Sequence, residues 1–580
     1  MQKINYPKQQ MHRFPYTKLA EKQILEKLAA VRAGPTSRSE LSGALAGKTL
    51  RIVADGGLEL AYAFKSRNAL SLAEGGGAPV QAGYGALDFS GLVLFSHLVP
   101  GTQRGYHVIV DPVSNLATVF EFWFSGYTDA RELQREVHFG YVDVKGQEPP
   151  ISRHGITNRI EGKGFHWRQD TGVETIELFP SVLYSNFVEL TRFGGELSYC
   201  APSDYIRIDD DRYIYSRVEA EFAGTMTLYV LDLNTVRQAG LRLGFNETDA
   251  LEYYLFRGHG EIVGQIAVFS PLDNHGEKID FGARPRPQKK GERLVYRPLL
   301  TNPAMSKAQV EAVVAQKTSV FPAREGGMGG HKLPDSELLV GKSLTVRYDD
   351  GGPVITYRFD DKKTLHWRRE GESQWHQETY NGWEPAPGVV FFGHLLGGAV
   401  NHDCMEVVID FDNALTSCVQ GWLGTPYMAN EAARKTWFGV VEMEGLTPPQ
   451  YRRHQFTDEL VGRALTWNYS PGLTSMHVYT TPYSFSWVIF LANGAGGLEW
   501  SGPAQYVKIR DELYLFNWLE EACNGTLGTL VINTRTMHDC GIGYHCGTEG
   551  LSLSAIGAYS RNAGQFDVKK FYGPKAARGA

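Results

Sequence analysis

The stretch YVKIRDELYLFNWLEE at residues 506–521 decides how the rest of the chain is read. Tyr506, Lys508 and Arg510 occupy one set of alternate positions; Tyr514, Phe516, Trp518 and Glu520 occupy another, with RDE between them. A period of two marks a strand, because successive side chains leave opposite faces. The segment therefore predicts two strands joined by a tight turn. GTLGTLVINTRTMHDCGIGYH (525–545) continues with another strand pair around INTRT. Many short strands at this spacing predict a mainly β fold, as a sandwich or a closed up-and-down barrel.

The pattern recurs along the chain. LAGKTL (45–50), IEGKGF (160–165), LVGKSL (339–344) and LVGRAL (460–465) share Gly, then Lys or Arg, then a large apolar residue. Four modules follow, and they alternate in kind. DGG at 55–57 answers DGG at 350–352, FSH at 95–97 answers FGH at 392–394, and Tyr127 answers Tyr427. The second and fourth modules match at a shift of about 300, as in Trp167 with Trp467, Tyr213 with Tyr514 and Glu219 with Glu520. Such internal similarity makes the chain a duplicated two-module half. The expected division is an N-terminal extension and helix at 1–40, modules at 41–150 and 151–270, a linker and helix at 271–335, and modules at 336–445 and 446–580. The stretches 17–34 and 306–317, each with a Thr or Ser cap position and apolar residues at helical spacing, predict amphipathic helices. TDARELQREVHFGY (128–141) and NEAARKTWFGV (430–440) predict short helices between modules.

Composition narrows the function classes. The 580 residues carry a net charge of −6, without the basic footprint that nucleic acid or an anionic membrane requires. The one basic run, RPRPQKK (284–290), reads as a solvated linker. No stretch reaches the ~18 apolar residues of a membrane span, and MQKINYPKQQMHRF lacks the apolar core of a secretory signal, so a cytoplasmic protein is expected. Six cysteines without CxxC spacing suggest reduced structural thiols. DGG, GGG (75–77) and GGMGG (326–330) are turn or linker glycines rather than nucleotide loops, and no GxxxxGK[ST] or GxSxG occurs. No cofactor and no metal are expected; the spacing of His538, Cys540, His545 and Cys546 in MHDCGIGYHC is not a zinc pattern. The expected partner is a small molecule, with no nucleic acid and no membrane; self-association as a homodimer is left open.

The runs RRHQFTDELVGRALTWNYSPG (452–472) and YVKIRDELYLFNWLEEACNGTLGTLVINTRTMHDCG (506–541) resemble the C-terminal domain of the MoaF family. The first and third modules resemble its N-terminal domain. The resemblance implies four lipocalin-like (calycin) antiparallel barrels, a class that typically holds one small ligand inside. A fainter similarity is to phenolic acid decarboxylases, lipocalin-like barrels without a cofactor. Their W-x-E before a Gly turn and later R-x-M-H are matched by Trp518, Glu520 and Gly525, then Arg535, Met537 and His538. Of their paired tyrosines only Tyr469 survives, beside Trp467, and the arginine expected at the start of the next strand is not obvious near SGPAQY (501–506).

The chemistry expected is proton transfer. Glu520 among aromatic rings would lose hydration, which raises a carboxyl pKa into the useful range of a general acid or base. Tyr506, Lys508, Tyr514, Trp518, Tyr469, Trp467, His477 and Tyr479 are the expected substrate contacts. Glu219 is the counterpart of Glu520, with a buried pair of Arg207 and Glu219 as the alternative. Glu521 faces away and reads as solvated. In the other module type, His97 (beside Tyr62 and Tyr84) and His394 (beside Tyr357, Tyr380, Trp383 and Glu384) are candidate proton carriers. The functions expected are a cofactor-independent lyase or isomerase acting on a small aromatic or unsaturated acid, or a non-catalytic carrier or sensor with the same cups. A scaffold whose barrels pack on one another is the third.

Overall fold

A computed structural model describes residues 17–125, 130–181, 183–191, 195–219, 224–246, 248–268, 303–322, 327–491, 499–520 and 525–573. Tyr127, Glu521, the basic run and nearly all of the expected linker lie outside these residues. The fold is mainly β and consists of four antiparallel barrels.

The first barrel runs through eight strands from Thr49–Ala54 to Leu133–Val142 and closes where Val53 pairs with Tyr141. The second runs from Lys163–Gln169 to Leu251–Ile266 and closes where Trp167 pairs with Gly260. In the third, the strands His376–Thr379 and Asn381–Ala386 end its sheet and meet in the chain at Tyr380. The fourth closes between Arg463–Ser470 and Tyr559–Phe566, where Trp467 pairs with Ser560.

Two expected helices are strands. The segments predicted as helices at 128–141 and 430–440 lie largely in Leu133–Val142 and Ala432–Glu442, which close the first and third barrels. Their polar residues suggested a helix, yet Val137, Phe139, Tyr141 and Val142 (and Thr436, Trp437, Phe438, Val440 and Val441) favour a pleated surface, and the barrel supplies the pairing edges. The predicted prefaces are helical at Glu21–Ala30 and Lys307–Gln316. Ser306 caps the second in a reciprocal capping box, whereas Ala20 holds the cap position of the first and Thr17 bonds Asp249 instead.

Within each half the two barrels pack by their outer faces. Leu94, Phe120 and Phe122 of the first meet Ile214, Leu228 and Leu241 of the second. Phe391, Val408 and Val419 of the third meet Leu515, Val531 and Ile542 of the fourth. Arg135 crosses the first interface to Asp204 at 2.7 Å. In the second half Arg434 and Gln505 hold those places, so the guanidinium is buried without a carboxylate and donates to the Pro503 carbonyl at 3.2 Å. Burial pushes Arg434 down to about 9.

The halves join through a paired strand from each and through a buried contact between the second and fourth barrels, where Asn186 donates to the Ser501 hydroxyl at 2.7 Å. Gln265 pairs with Gln565, its own counterpart, flanked by Gly264 with Phe566 and Ile266 with Gly564. Ala267 N–H donates to the Ala563 carbonyl and Asp567 N–H to the Val263 carbonyl, each at 2.6 Å. A local twofold therefore passes through the Gln265–Gln565 pair.

Candidate functional site

The interior of the fourth barrel gathers most of the aromatic residues singled out in the sequence. Trp467, Tyr469, His477, Tyr479, Tyr506, Tyr514, Phe516 and Trp518 form one buried cluster with Phe485. Alternation places them there: Tyr514, Phe516 and Trp518 share one face of Leu513–Leu519, and Tyr506 stacks on Phe516 at 5.6 Å and 16°. His477 is ringed by Trp467, Phe485, Phe516 and Trp518 at 5.2 to 6.1 Å. With no charged neighbour, burial pushes its pKa down to about 3, so the ring is neutral at physiological pH. Its Nε2 lies 3.4 Å from the Tyr469 hydroxyl.

Asp539 is the residue that sequence reasoning missed. It follows His538 in the strand His538–Gly547 and pairs with Ile532, whose side chain belongs to the same interior cluster. Asp539 is 1% exposed, and burial pushes its carboxyl up to about 8 although Oδ1 accepts the Ala558 N–H at 2.6 Å. The carboxyl is close enough to act electrostatically on both Tyr469 and Tyr479. Trp467 Nε1, His477 Nδ1, the Tyr479 hydroxyl and Asp539 Oδ2 are buried here without a hydrogen-bond partner among the described residues. Buried polar groups are nearly always paired, so such a concentration is unusual. The sequence offered only an aspartate within a predicted strand, overshadowed by the neighbouring His and Cys and with no cue to the face it occupies.

Other candidates stand elsewhere. Glu520 is half-buried at the end of its strand, with Oε2 accepting Trp487 Nε1 at 2.9 Å and Trp518 Nε1 at 3.3 Å. Lys508 does not reach into the interior: it pairs with Glu459 at 2.7 Å and Asp511 at 2.9 Å, and Tyr514 donates to Glu459 at 2.8 Å. This rim cluster neutralises the cation that was to anchor a substrate. His538, Cys540, His545 and Cys546 do not converge. Cys540 and Cys546 pack towards the third barrel, whereas His545 bonds Thr526 at 2.6 Å.

In the second barrel Glu219 meets Arg242 at 2.7 Å and Arg217 at 3.0 Å, and Arg217 also meets Glu177 at 2.9 Å. The expected Arg207 pairing is replaced, because Arg207 reaches the exposed Asp210 at 2.7 Å. Burial alone would raise the Glu219 carboxyl, but the two guanidiniums overcome it and hold the group well below the usual range. Glu177 and Arg217 occupy the places of His477 and Trp518, so an ion-pair network replaces two rings in this interior, beside the remaining rings of Trp167, Tyr205, Tyr215 and Tyr229.

The N-terminal-type barrels repeat one arrangement. His97 has Nε2 3.2 Å from the Tyr62 hydroxyl and Nδ1 3.3 Å from the Leu98 carbonyl. His394 matches it with Tyr357 at 3.1 Å and the Leu395 carbonyl at 2.8 Å. Burial lowers both imidazoles to about 4, so both are neutral near pH 7. Tyr84 and Tyr380 share these interiors, each held by a backbone carbonyl. Trp383 and Glu384 do not join His394: Trp383 packs outwards on Phe391 and Phe321, and Glu384 is exposed on the strand Asn381–Ala386, where it accepts the Gly388 N–H. Alternation sets Trp383 on the face opposite the interior.

Comparison with known proteins bears on the second half. Residues 325–424 match the MoaF N-terminal domain, and residues 454–564 match the MoaF C-terminal domain. Protein MoaF of Klebsiella aerogenes is 32% identical over 109 residues, covering 18% of this chain and 41% of that protein. The chain thus spans less than half the length of that relative. A solved structure of a candidate beta-lactamase from Burkholderia vietnamiensis matches at 11% identity, covering 18% of this chain and 95% of that one, with a TM-score of 0.16.

Proposed function

From the premise that residues 325–564 carry the MoaF N- and C-terminal domains in tandem, we propose that the fourth barrel binds a small aromatic or unsaturated acid. There it acts as a metal- and nucleotide-independent lyase or isomerase. The observation that carries the reading is the set of unpartnered polar atoms on Trp467, His477, Tyr479 and Asp539. The indole N–H is a fixed donor. If Tyr469 donates to His477 Nε2, the imidazole hydrogen resides on Nδ1 and becomes a second donor. Tyr479 supplies a third, and a carboxyl pushed up to about 8 is protonated at pH 7 and supplies a fourth. Convergent neutral donors in a dry aromatic setting favour an oxyanion without placing a full positive charge in the interior. The substrate carboxylate or the enolate or phenolate developed from it is such an anion. Asp539 is then the group that delivers or accepts the proton.

The cytoplasm is the compartment that fits this reading; Cys200, Cys404, Cys418, Cys540 and Cys546 are free thiols. No helix among the described residues is long and apolar enough to cross a membrane.

The test is a panel of phenolic and enoic acids, followed by tryptophan fluorescence for binding and by absorbance for turnover. Asp539→Asn is expected to abolish turnover while changing affinity by only a few fold. Binding without turnover by the unaltered protein would replace the enzyme with a carrier, and a chain that binds none of these acids would overturn the proposal.

A further inference from the structure

We propose that an arginine-lined cleft at the edge of the second barrel binds a small, multiply charged oxyanion, an organic phosphate or a polycarboxylate, at a site independent of the fourth barrel's interior. The cleft has a volume of about 450 Å³, and Arg153, Arg159 and Arg207 line it together with residues 155–157. Small-molecule sites run from ~300 to 1,000 Å³, so the space suits an organic anion rather than a lone ion. The register brings the three guanidiniums together. Gly155 pairs with Arg207 across the strands Gly155–Ile156 and Tyr199–Arg207, and the chain on either side of that short strand carries Arg153 and Arg159. A Cβ on Gly155 would meet nothing within 4 Å, so open space lies over the pair.

The guanidiniums are held in place without being saturated. Arg153 meets Asp55 at 3.0 Å, whereas Arg159 and Arg207 share one oxygen of Asp210 at 2.6 and 2.7 Å. One carboxylate thus serves two cations. The Asp210 side chain is 78% exposed and that of Asp55 is 55% exposed, so water and salt weaken both pairings and an anion of higher charge can compete for the arginines. Guanidinium forks grip phosphate and carboxylate oxygens in pairs, which a chloride ion cannot exploit.

The fourth barrel carries the same place with an anion built in. Gln455 pairs with Lys508 there as Gly155 pairs with Arg207, and Lys508 pairs with Tyr514 as Arg207 pairs with Tyr213. At the position of Arg159 stands Glu459, whose carboxylate takes Lys508 at 2.7 Å and the Tyr514 hydroxyl at 2.8 Å. In the second barrel that carboxylate is replaced by a further cation, and the Tyr213 hydroxyl turns to the Asp210 carbonyl at 2.9 Å. Arg153 is not the difference, since Arg453 meets Asp349 as Arg153 meets Asp55. One copy therefore supplies the anion from its own chain, and the other leaves the cleft open to one from solution.

Full-length protein in a phosphate-free buffer of low ionic strength is titrated by calorimetry with sodium pyrophosphate and, separately, with sodium citrate; sodium chloride at matched ionic strength is the reference. One anion per chain is expected, with a rise in melting temperature beyond that given by chloride. Tighter binding of pyrophosphate assigns the cleft to a phosphate, tighter binding of citrate to a polycarboxylate, and either supports the proposal. Arg159→Glu, which copies the fourth barrel, is expected to weaken binding at least tenfold while the anion-free melting temperature holds or rises. Arg207→Gln is expected to weaken binding to a similar degree, with its anion-free melting as the check on folding. Arg347→Gln, on the third barrel, leaves binding unchanged. Failure of both anions to bind beyond the chloride reference, or binding that survives in the folded Arg159→Glu, Arg207→Gln double variant, overturns the proposal.

Discussion

Asp539 binds its proton far more tightly in the folded chain than an exposed aspartate does, and this has a measurable cost. Its folded pKa, about 8, exceeds the ordinary 3.8. Between these values the native chain keeps a proton that the unfolded chain has lost. Stability therefore falls as pH rises through that window, by about 1.4 kcal/mol per unit, and the loss is complete above the folded value. Asp539→Asn removes this contribution. The variant should gain melting temperature relative to the unaltered protein between pH 5 and pH 8, and an unchanged difference would contradict the buried, protonated assignment. Arg434 offers a second case. The first half solves the same interface with Arg135 and Asp204, so Gln505→Asp should return a partner to Arg434 and raise the denaturation midpoint by about 1–3 kcal/mol in stability. Glu520 could be found in the sequence because it ends a strand of alternating rings, whereas Asp539 could not. Nothing local distinguishes an inward aspartate from an outward one until the pairing with Ile532 fixes the phase of its strand.

At the scale of elements, the strands around Tyr506–Trp518 were legible because alternation there is strict and the turn is explicit. The closing strands of the first and third barrels were not, since Arg135, Glu136 and His138 mimic a solvated helix until neighbouring strands cover both faces. The second and fourth barrels show how one strand framework holds two different interiors. In the second, Glu219 is shared by Arg217 and Arg242, and removing its charge leaves two buried cations competing for Glu177 and Glu252. Glu219→Gln is thus expected to destabilise the first half by about 3–5 kcal/mol, read by chemical denaturation, with no effect on any activity of the fourth barrel. Loss of that activity in a folded Glu219→Gln protein would move the site.

For the whole molecule, the four-fold echo and the pairing of unlike modules were visible in the spacing of Gly47, Gly162, Gly341 and Gly462. The way the halves meet was not, because the joining strands carry no special composition beyond glycine. Gly264 and Gly564 have φ of +141° and +126°, and a Cβ on Gly264 would stand 2.7 Å from the Gln565 carbonyl oxygen. Gly264→Val should separate the unfolding of the two halves into distinct calorimetric transitions, while a single unshifted transition would show that this contact is dispensable. The meeting of Gln265 with Gln565 has the form of an isologous dimer contact, the same patch on both sides of an axis. Here both patches belong to one polypeptide. Two separate chains sharing such a contact come apart on dilution, but a tether fixes the local concentration of each half for the other. The duplicated protein therefore keeps its paired state at any expression level, and each copy is free to change its interior without having to remain a match for itself.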